Sequence, residues 1–182
     1  MFYFNLVLCI LSLLFWAYLL YALWEMLHHR APFVPSPSAP RKLAFKQIAK
    51  LLMPSNTAKT IVDAGCGNGY LLAQLAKEYP QNHFIGIEYN PMLYNYCRHK
   101  YRKLKNLIFL NQDLLTFDYN QADIVYYFGF PQLTSALQQK LLQTTKKIDL
   151  IALDATFEKL TLIEKESFRF WLTQSYIYHY KN

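Results

Sequence analysis

The sequence predicts an α/β domain built on a mostly parallel sheet and preceded by one apolar helix of membrane-spanning length, and three observations predict it. Charged residues are largely absent from the first 24 positions. A β-branched run, Thr60–Asp63, stops in a glycine-rich turn and is followed at once by a helical pattern. Short apolar strands then alternate with helices as far as Leu153, a pattern that implies parallel strands covered on both faces.

In the N-terminal segment the only clearly polar residues between Phe2 and Trp24 are Asn5 and Ser12. A helix of that length rises about 34 Å, enough to cross a hydrocarbon core of about 30 Å. A cleavable signal sequence would have a basic start, a shorter apolar core and a small-residue exit, whereas this run opens Met1-Phe2-Tyr3-Phe4 and ends in Tyr21, Leu23 and Trp24. A buried core helix is the alternative, but such helices seldom stay apolar on every side over this length. Aromatic residues gather at both ends, and His28, His29, Arg30, Arg41 and Lys42 follow the run. The expectation is an anchor over residues 1–28 that meets the bilayer through residues 2–24, with the following domain on the cytoplasmic side. Residues 29–40, with Pro32, Pro35, Pro37 and Pro40, are expected to form a stiff extended linker rather than a helix. Phe33 and Val34 within it are apolar, as if the linker rests on the domain.

The domain proper is expected to run from 41 to 182, opening with an amphipathic stretch from Arg41 to Leu52. Strand Thr60–Asp63, the turn Ala64-Gly65-Cys66-Gly67-Asn68-Gly69 and a helix from Tyr70 to Tyr79 form one unit. Such a unit aims a helix N-terminus and free backbone N–H groups at a ligand, and glycine permits close approach because it has no Cβ. Phe84–Glu88 reads as a second strand ending in an acid, placed to accept hydrogen bonds from ribose hydroxyls. Leu107–Leu110, Asp123–Phe128 and Ile148–Leu153 read as three further strands, with a helix at Gln132–Gln143. Phe168–Leu172 and Tyr176–Tyr180 read as a terminal hairpin.

The formal net charge of +7 suits an anionic partner, whether nucleic acid, acidic protein or membrane surface, and does not choose among them. The run Arg98-His99-Lys100-Tyr101-Arg102-Lys103-Leu104-Lys105 concentrates that charge. It reads as a solvated helix face, or one lying on anionic headgroups, in preference to a nucleic-acid contact. Cys9, Cys66 and Cys97 show neither a C-x-x-C pair nor metal-ligand spacing, so no metal and no disulfide framework are expected.

Asp63-x-Gly65-x-Gly67-x-Gly69 differs from the G-x-G-x-x-G turn that cradles a dinucleotide pyrophosphate. With the acid at Glu88, it resembles the first motif of the class I, seven-stranded S-adenosylmethionine-dependent methyltransferases, whose sheet is Rossmann-like with a C-terminal antiparallel hairpin. That resemblance implies S-adenosylmethionine as cofactor. It places Asp63, Gly65 and Gly67 around the methionine part, Glu88 at the ribose, and Asp113, beside Leu114, at the adenine amino group, with Cys66 and Gly69 also among the cofactor-binding residues. Read from its own position, Asp113 is equally a turn or helix cap.

Pro32-Phe33-Val34-Pro35-Ser36 and Phe128-Gly129-Phe130-Pro131-Gln132-Leu133 look like segments of the membrane-anchored protein-lysine methyltransferases of ATP synthase subunit c and the adenine nucleotide translocase, and of their bacterial relatives. The likeness implies a membrane-protein substrate and a lysine acceptor. Lysine methylation needs a neutral amine in line with the sulfonium methyl, hence a water-poor slot that favours and positions the deprotonated form. Tyr126, Tyr127, Phe130 and Pro131, at the edge where open α/β sheets bind ligands, with Phe33 closing from above, are the candidates. The alternative for the tyrosines is ordinary core. Asp123 and Tyr126 form an Asp-x-x-Tyr spacing, but at the start of the strand. Two other functions compete: methylation of a small apolar or lipid-like substrate, and a non-catalytic interaction module, against which the intact motif argues. A nucleic-acid methyltransferase is disfavoured, because Gly129-Phe130-Pro131-Gln132 stands where many such enzymes carry Asn/Asp-Pro-Pro-aromatic.

Overall fold

The computed structural model describes residues 2–28, 38–53, 57–129, 131–170 and 173–182. The chain divides into two compact units, Met1–Val34 and Pro35–Asn182. The first contains helix α1, Phe2–His28. Within it Tyr3–Tyr21 has a mean hydropathy of 2.1, and every side chain along that stretch is exposed. An aqueous surface of that composition is unfavourable over its whole circumference, so α1 is apolar and long enough to cross a membrane.

The second unit is a seven-stranded sheet in the order β3-β2-β1-β4-β5-β7-β6. Strands β1 (Thr60–Ala64), β2 (His83–Glu88), β3 (Leu107–Asn111), β4 (Ile124–Tyr127) and β5 (Asp149–Leu153) are parallel. Strands β6 (Thr161–Phe170) and β7 (Thr173–Lys181) form the antiparallel hairpin, with β7 between β5 and β6. All four residues of β4 are buried, as expected for a central strand covered on both faces.

Helices α2 (Ser38–Leu52) and α3 (Tyr70–Glu78) cover one face, with Ala44, Ile48, Leu71, Leu72 and Leu75 against Ile61, Phe84, Ile124, Tyr126 and Ile151. On that face too, α4 (Pro91–Lys100) packs beside β2 and β3. Its start is fixed by Asn90, whose side chain accepts from the N–H groups of Met92 and Leu93 at 2.8 and 3.2 Å, with Pro91 opening the helix. The other face carries α5 (Pro131–Leu142), whose Leu137 and Leu141 meet Val62, Val125, Tyr127 and Leu150, joined by Phe117, Tyr119, Phe157 and Leu160 from loops.

Three sequence expectations shift. The helix α2 starts at Ser38, inside the expected linker, because a proline in the first turn lacks only an N–H that the helix leaves unbonded. The remaining linker residues, Phe33 among them, lie outside the described residues. The hairpin's first strand begins at Thr161, seven positions before Phe168, because Glu164, Lys165 and Glu166 mask it. As the outer strand of the sheet, β6 tolerates such charges, which also discourage edge-to-edge association. Asp123, finally, belongs to the amino edge: it accepts from the Thr60 N–H at 2.7 Å and pairs with Lys146 at 2.7 Å. The Asp-x-x-Tyr spacing therefore carries no chemistry here.

Candidate functional site

The carboxyl ends of β1 and β2 are tied into one structure by the loop between β1 and α3. The N–H groups of Gly65 and Cys66 both donate to the Ile87 carbonyl, at 3.0 and 2.9 Å, and the Gly69 N–H donates to the Cys66 carbonyl at 2.9 Å. Gly65, Gly67 and Gly69 have φ of 98, 54 and 66°, in the left-handed region where a side chain is disfavoured. Gly69 is also packed: a Cβ there would lie 2.7 Å from the Phe109 ring. At Gly65, by contrast, a Cβ would meet nothing within 4 Å, so the loop presents bare backbone to open space at that point.

Glu88 holds the other side. Its carboxylate accepts from the Gly67 N–H and from the Asn90 N–H, each at 2.8 Å, so it fastens the glycine loop to the start of α4. Asn111, at the end of β3, donates to the carbonyls of Glu88 and Tyr89, both at 2.9 Å, and locks the strand end. Sequence reasoning missed Asn111.

Asp63 is almost completely buried, with 4% of its surface exposed. Burial first, and the nearby negative charge of Glu88 second, push its carboxyl up to about 8. Two carboxyl groups close enough to raise one another's proton affinity suit a cationic ligand with ribose hydroxyls. They would oppose a pyrophosphate. Those features fit S-adenosylmethionine, which has a sulfonium and an ammonium and no phosphate.

The other expected residues separate into three groups. The Cys66 thiol turns inward to Cys97, while its N–H and carbonyl are used inside the loop, so Cys66 supports the loop rather than facing a ligand. Cys97 in turn donates from Sγ to the Gly67 carbonyl at 3.2 Å, a contact no sequence pattern announces. Asp113 caps a turn, its Oδ1 accepting the Leu115 N–H at 2.9 Å, and Leu114 rests against the core on the α5 face.

Tyr126 and Tyr127 point to opposite faces, as adjacent strand residues must. Tyr126 pairs in register with Asp63 and lies on the α2 face; its hydroxyl is pushed up by burial and then by Asp63 and Asp154, with Arg41 acting in the opposite sense. Tyr127 is fully buried under α5, edge-on to Phe157 at 6.0 Å, and its hydroxyl meets Thr134. It is core, which answers the alternative left open by the sequence. Tyr127→Ala is expected to cost about 3–5 kcal/mol of folding stability and Tyr127→Phe about 1 kcal/mol, measured by denaturant unfolding; an Ala variant of native stability would contradict the packing described. Pro131 is exposed at the first position of α5, and Phe130 lies outside the described residues. Arg41, absent from the sequence expectations for the site, stands with its guanidinium 4.2 Å above the Tyr70 ring at the start of α3.

Solved structures share this architecture. An RNA methyltransferase from Salinibacter ruber in complex with S-adenosyl-L-homocysteine matches with a TM-score of 0.65 and 16% identity, over 81% of this chain and 93% of that one. The N-methyltransferase NodS from Bradyrhizobium japonicum, also with S-adenosyl-L-homocysteine, gives 0.63 and 14%, over 88% and 96%. TYW2 from M. jannaschii in complex with AdoMet gives 0.59 and 20%, over 81% and 77%. At such identities the likeness shows the fold. No curated protein sequence matches the chain. Each of these three structures was solved with S-adenosyl-L-homocysteine or AdoMet bound. The family model of the ANTKMT methyltransferase domain matches residues 63–161, more than half of the chain and from Asp63 through all of β4 and β5, and the chain therefore belongs to that family of S-adenosylmethionine-dependent methyltransferases.

Proposed function

We infer that the chain is a membrane-anchored protein methyltransferase that transfers the methyl group to a lysine amine of a membrane protein. The observation that carries this is the family match, which takes in both the Asp63–Gly69 loop and the Phe128–Leu133 segment. When bound, S-adenosylmethionine supplies an electrophilic methyl on a sulfonium. Asp63 and the loop from Gly65 to Gly69 hold its methionine part, Glu88 accepts from the ribose hydroxyls, and Asp113, through the oxygen not used by Leu115, takes the adenine amino group.

The acceptor slot lies at the end of β4. Tyr126 faces it rather than Tyr127, with Pro131 at the rim. The buried Tyr126 hydroxyl stays protonated at neutral pH and is an uncharged partner for an amine N–H. Such a slot excludes water and aligns the lone pair, which supplies the acceleration without a strong base. At saturating cofactor, kcat/KM is expected to rise by about tenfold per pH unit from neutrality toward the lysine pKa near 10.4. A flat profile from pH 7 to 9 would overturn the amine assignment. Tyr126→Phe should lower kcat while leaving cofactor affinity within about twofold.

Residues 2–24 anchor the chain, with the domain on the cytoplasmic side. High salt and alkaline carbonate, which release charge-held peripheral proteins, should leave it in the membrane pellet. Release by salt alone would contradict the anchor.

A further inference from the structure

Helix α4 and the outer edge of β3 bound a groove of about 740 Å³ lined by Tyr94, Arg98, Arg102, Ile108 and Phe109 among others. No Asp or Glu occurs from Tyr89 to Gln112, whereas Arg98, Lys100, Arg102, Lys103 and Lys105 do. Among the described residues none of these five cations is in an ion pair. The carbonyls that end α4 account for Arg98 and Lys100. They account for Arg102 too, which donates to the His99 carbonyl, but not for Lys103 and Lys105, which follow the helix.

The groove is amphipathic in cross-section. Its floor is apolar: Ile108 is 52% exposed, with Leu104, Leu107 and Phe109 beside it. Its rim is cationic and held in place, since Arg102 donates to the His99 carbonyl at 3.1 Å. Phosphate chemistry fits the rim, and acyl or glycerol carbon fits the floor. Single-stranded nucleic acid needs free aromatic faces on which bases stack. Of the Tyr and Phe rings lining the groove, Tyr101 and Phe109 are already stacked on one another at 5.9 Å, which leaves Tyr94 alone to offer a base a face and gives no run of stacking platforms. The charge and the floor together therefore favour a lipid.

We propose that the groove between α4 and β3 binds the headgroup of an anionic phospholipid, giving the domain a second, electrostatic contact with the bilayer. It rests on the anchor only for its setting: a tethered domain meets lipid headgroups at high effective concentration.

The test leaves the anchor out of the readout. Full-length protein in dodecyl maltoside is exposed to dihexanoyl phosphatidylglycerol or dihexanoyl phosphatidylcholine, and amide exchange across residues 98–109 is followed by mass spectrometry. Phosphatidylglycerol should slow exchange there by about tenfold or more, and phosphatidylcholine should not. The double variant Arg98→Gln with Arg102→Gln should lose the protection and keep its affinity for S-adenosylmethionine. In the wild type the same protection should vanish at about 0.5 M salt, a check that needs no variant. Equal effects of the two lipids, protection that survives in the double variant or in high salt, protection reproduced by inorganic phosphate alone, or protection by an RNA oligonucleotide and not by lipid would each overturn the proposal.

Discussion

Asp63→Asn is expected to weaken S-adenosylmethionine binding by on the order of a hundredfold, yet to stabilise the cofactor-free protein at alkaline pH. The carboxyl is buried beside Glu88 and holds its proton to about pH 8 in the folded chain, against an ordinary value of 3.8. Between those values the folded state keeps a proton that the unfolded state releases. The contribution of Asp63 to stability is therefore complete below the ordinary carboxylate range and is lost as pH rises through about 8. Asparagine removes the buried charge at higher pH, a gain on the order of a few kcal/mol. A cationic ligand reverses the balance, so binding at pH 7 should release close to one proton. Calorimetry in buffers of different ionisation enthalpy measures that release, and thermal unfolding at pH 9 compares the two proteins. An Asn variant less stable than the wild type at pH 9, or binding without proton release, would show that the Asp63 carboxyl is not strained by burial.

Glu88→Ala should act on both the ligand and the loop. Its carboxylate accepts two backbone N–H groups, from Gly67 and Asn90, besides any ribose contact. Removing it leaves both donors without that partner, at a cost of about 2–4 kcal/mol in folding stability. Affinity for the cofactor should fall by about a hundredfold or more. Glu88→Gln separates the effects, since one amide oxygen still accepts while the charge and one acceptor are gone; its stability should fall between the two. If Glu88→Ala unfolds like the wild type, the two backbone bonds carry little of the loop's order.

The parts of this fold legible in the sequence are those whose pattern repeats a single physical rule. Strands β1 to β5 are short apolar runs because both faces are covered, and the glycine turn is legible because only glycine populates the left-handed region three times in five residues. The strand β6 was not legible at its start: an edge strand needs no continuous apolar face, and Glu164, Lys165 and Glu166 read as loop. At the site, Asp63 and Glu88 follow from their places at strand ends. Tyr126 and Tyr127 could not be told apart, because β4 is buried on both faces and alternation gives no preference. Pairing with Asp63 puts Tyr126 on its side of the sheet. Asn111, Cys97 and Arg41 join the site through contacts across 22 or more positions of sequence, or through a helix packed beside another, and no local pattern encodes those.

Methyl transfer to a membrane-protein lysine is tested most directly by incubating the full-length protein with methyl-labelled S-adenosylmethionine and a membrane extract, then locating the label. Labelled protein should appear with the methyl on a lysine side-chain nitrogen, and labelling should be lost with Glu88→Ala. A label that partitions with the extracted lipids, or one on a protein residue other than lysine, would contradict it.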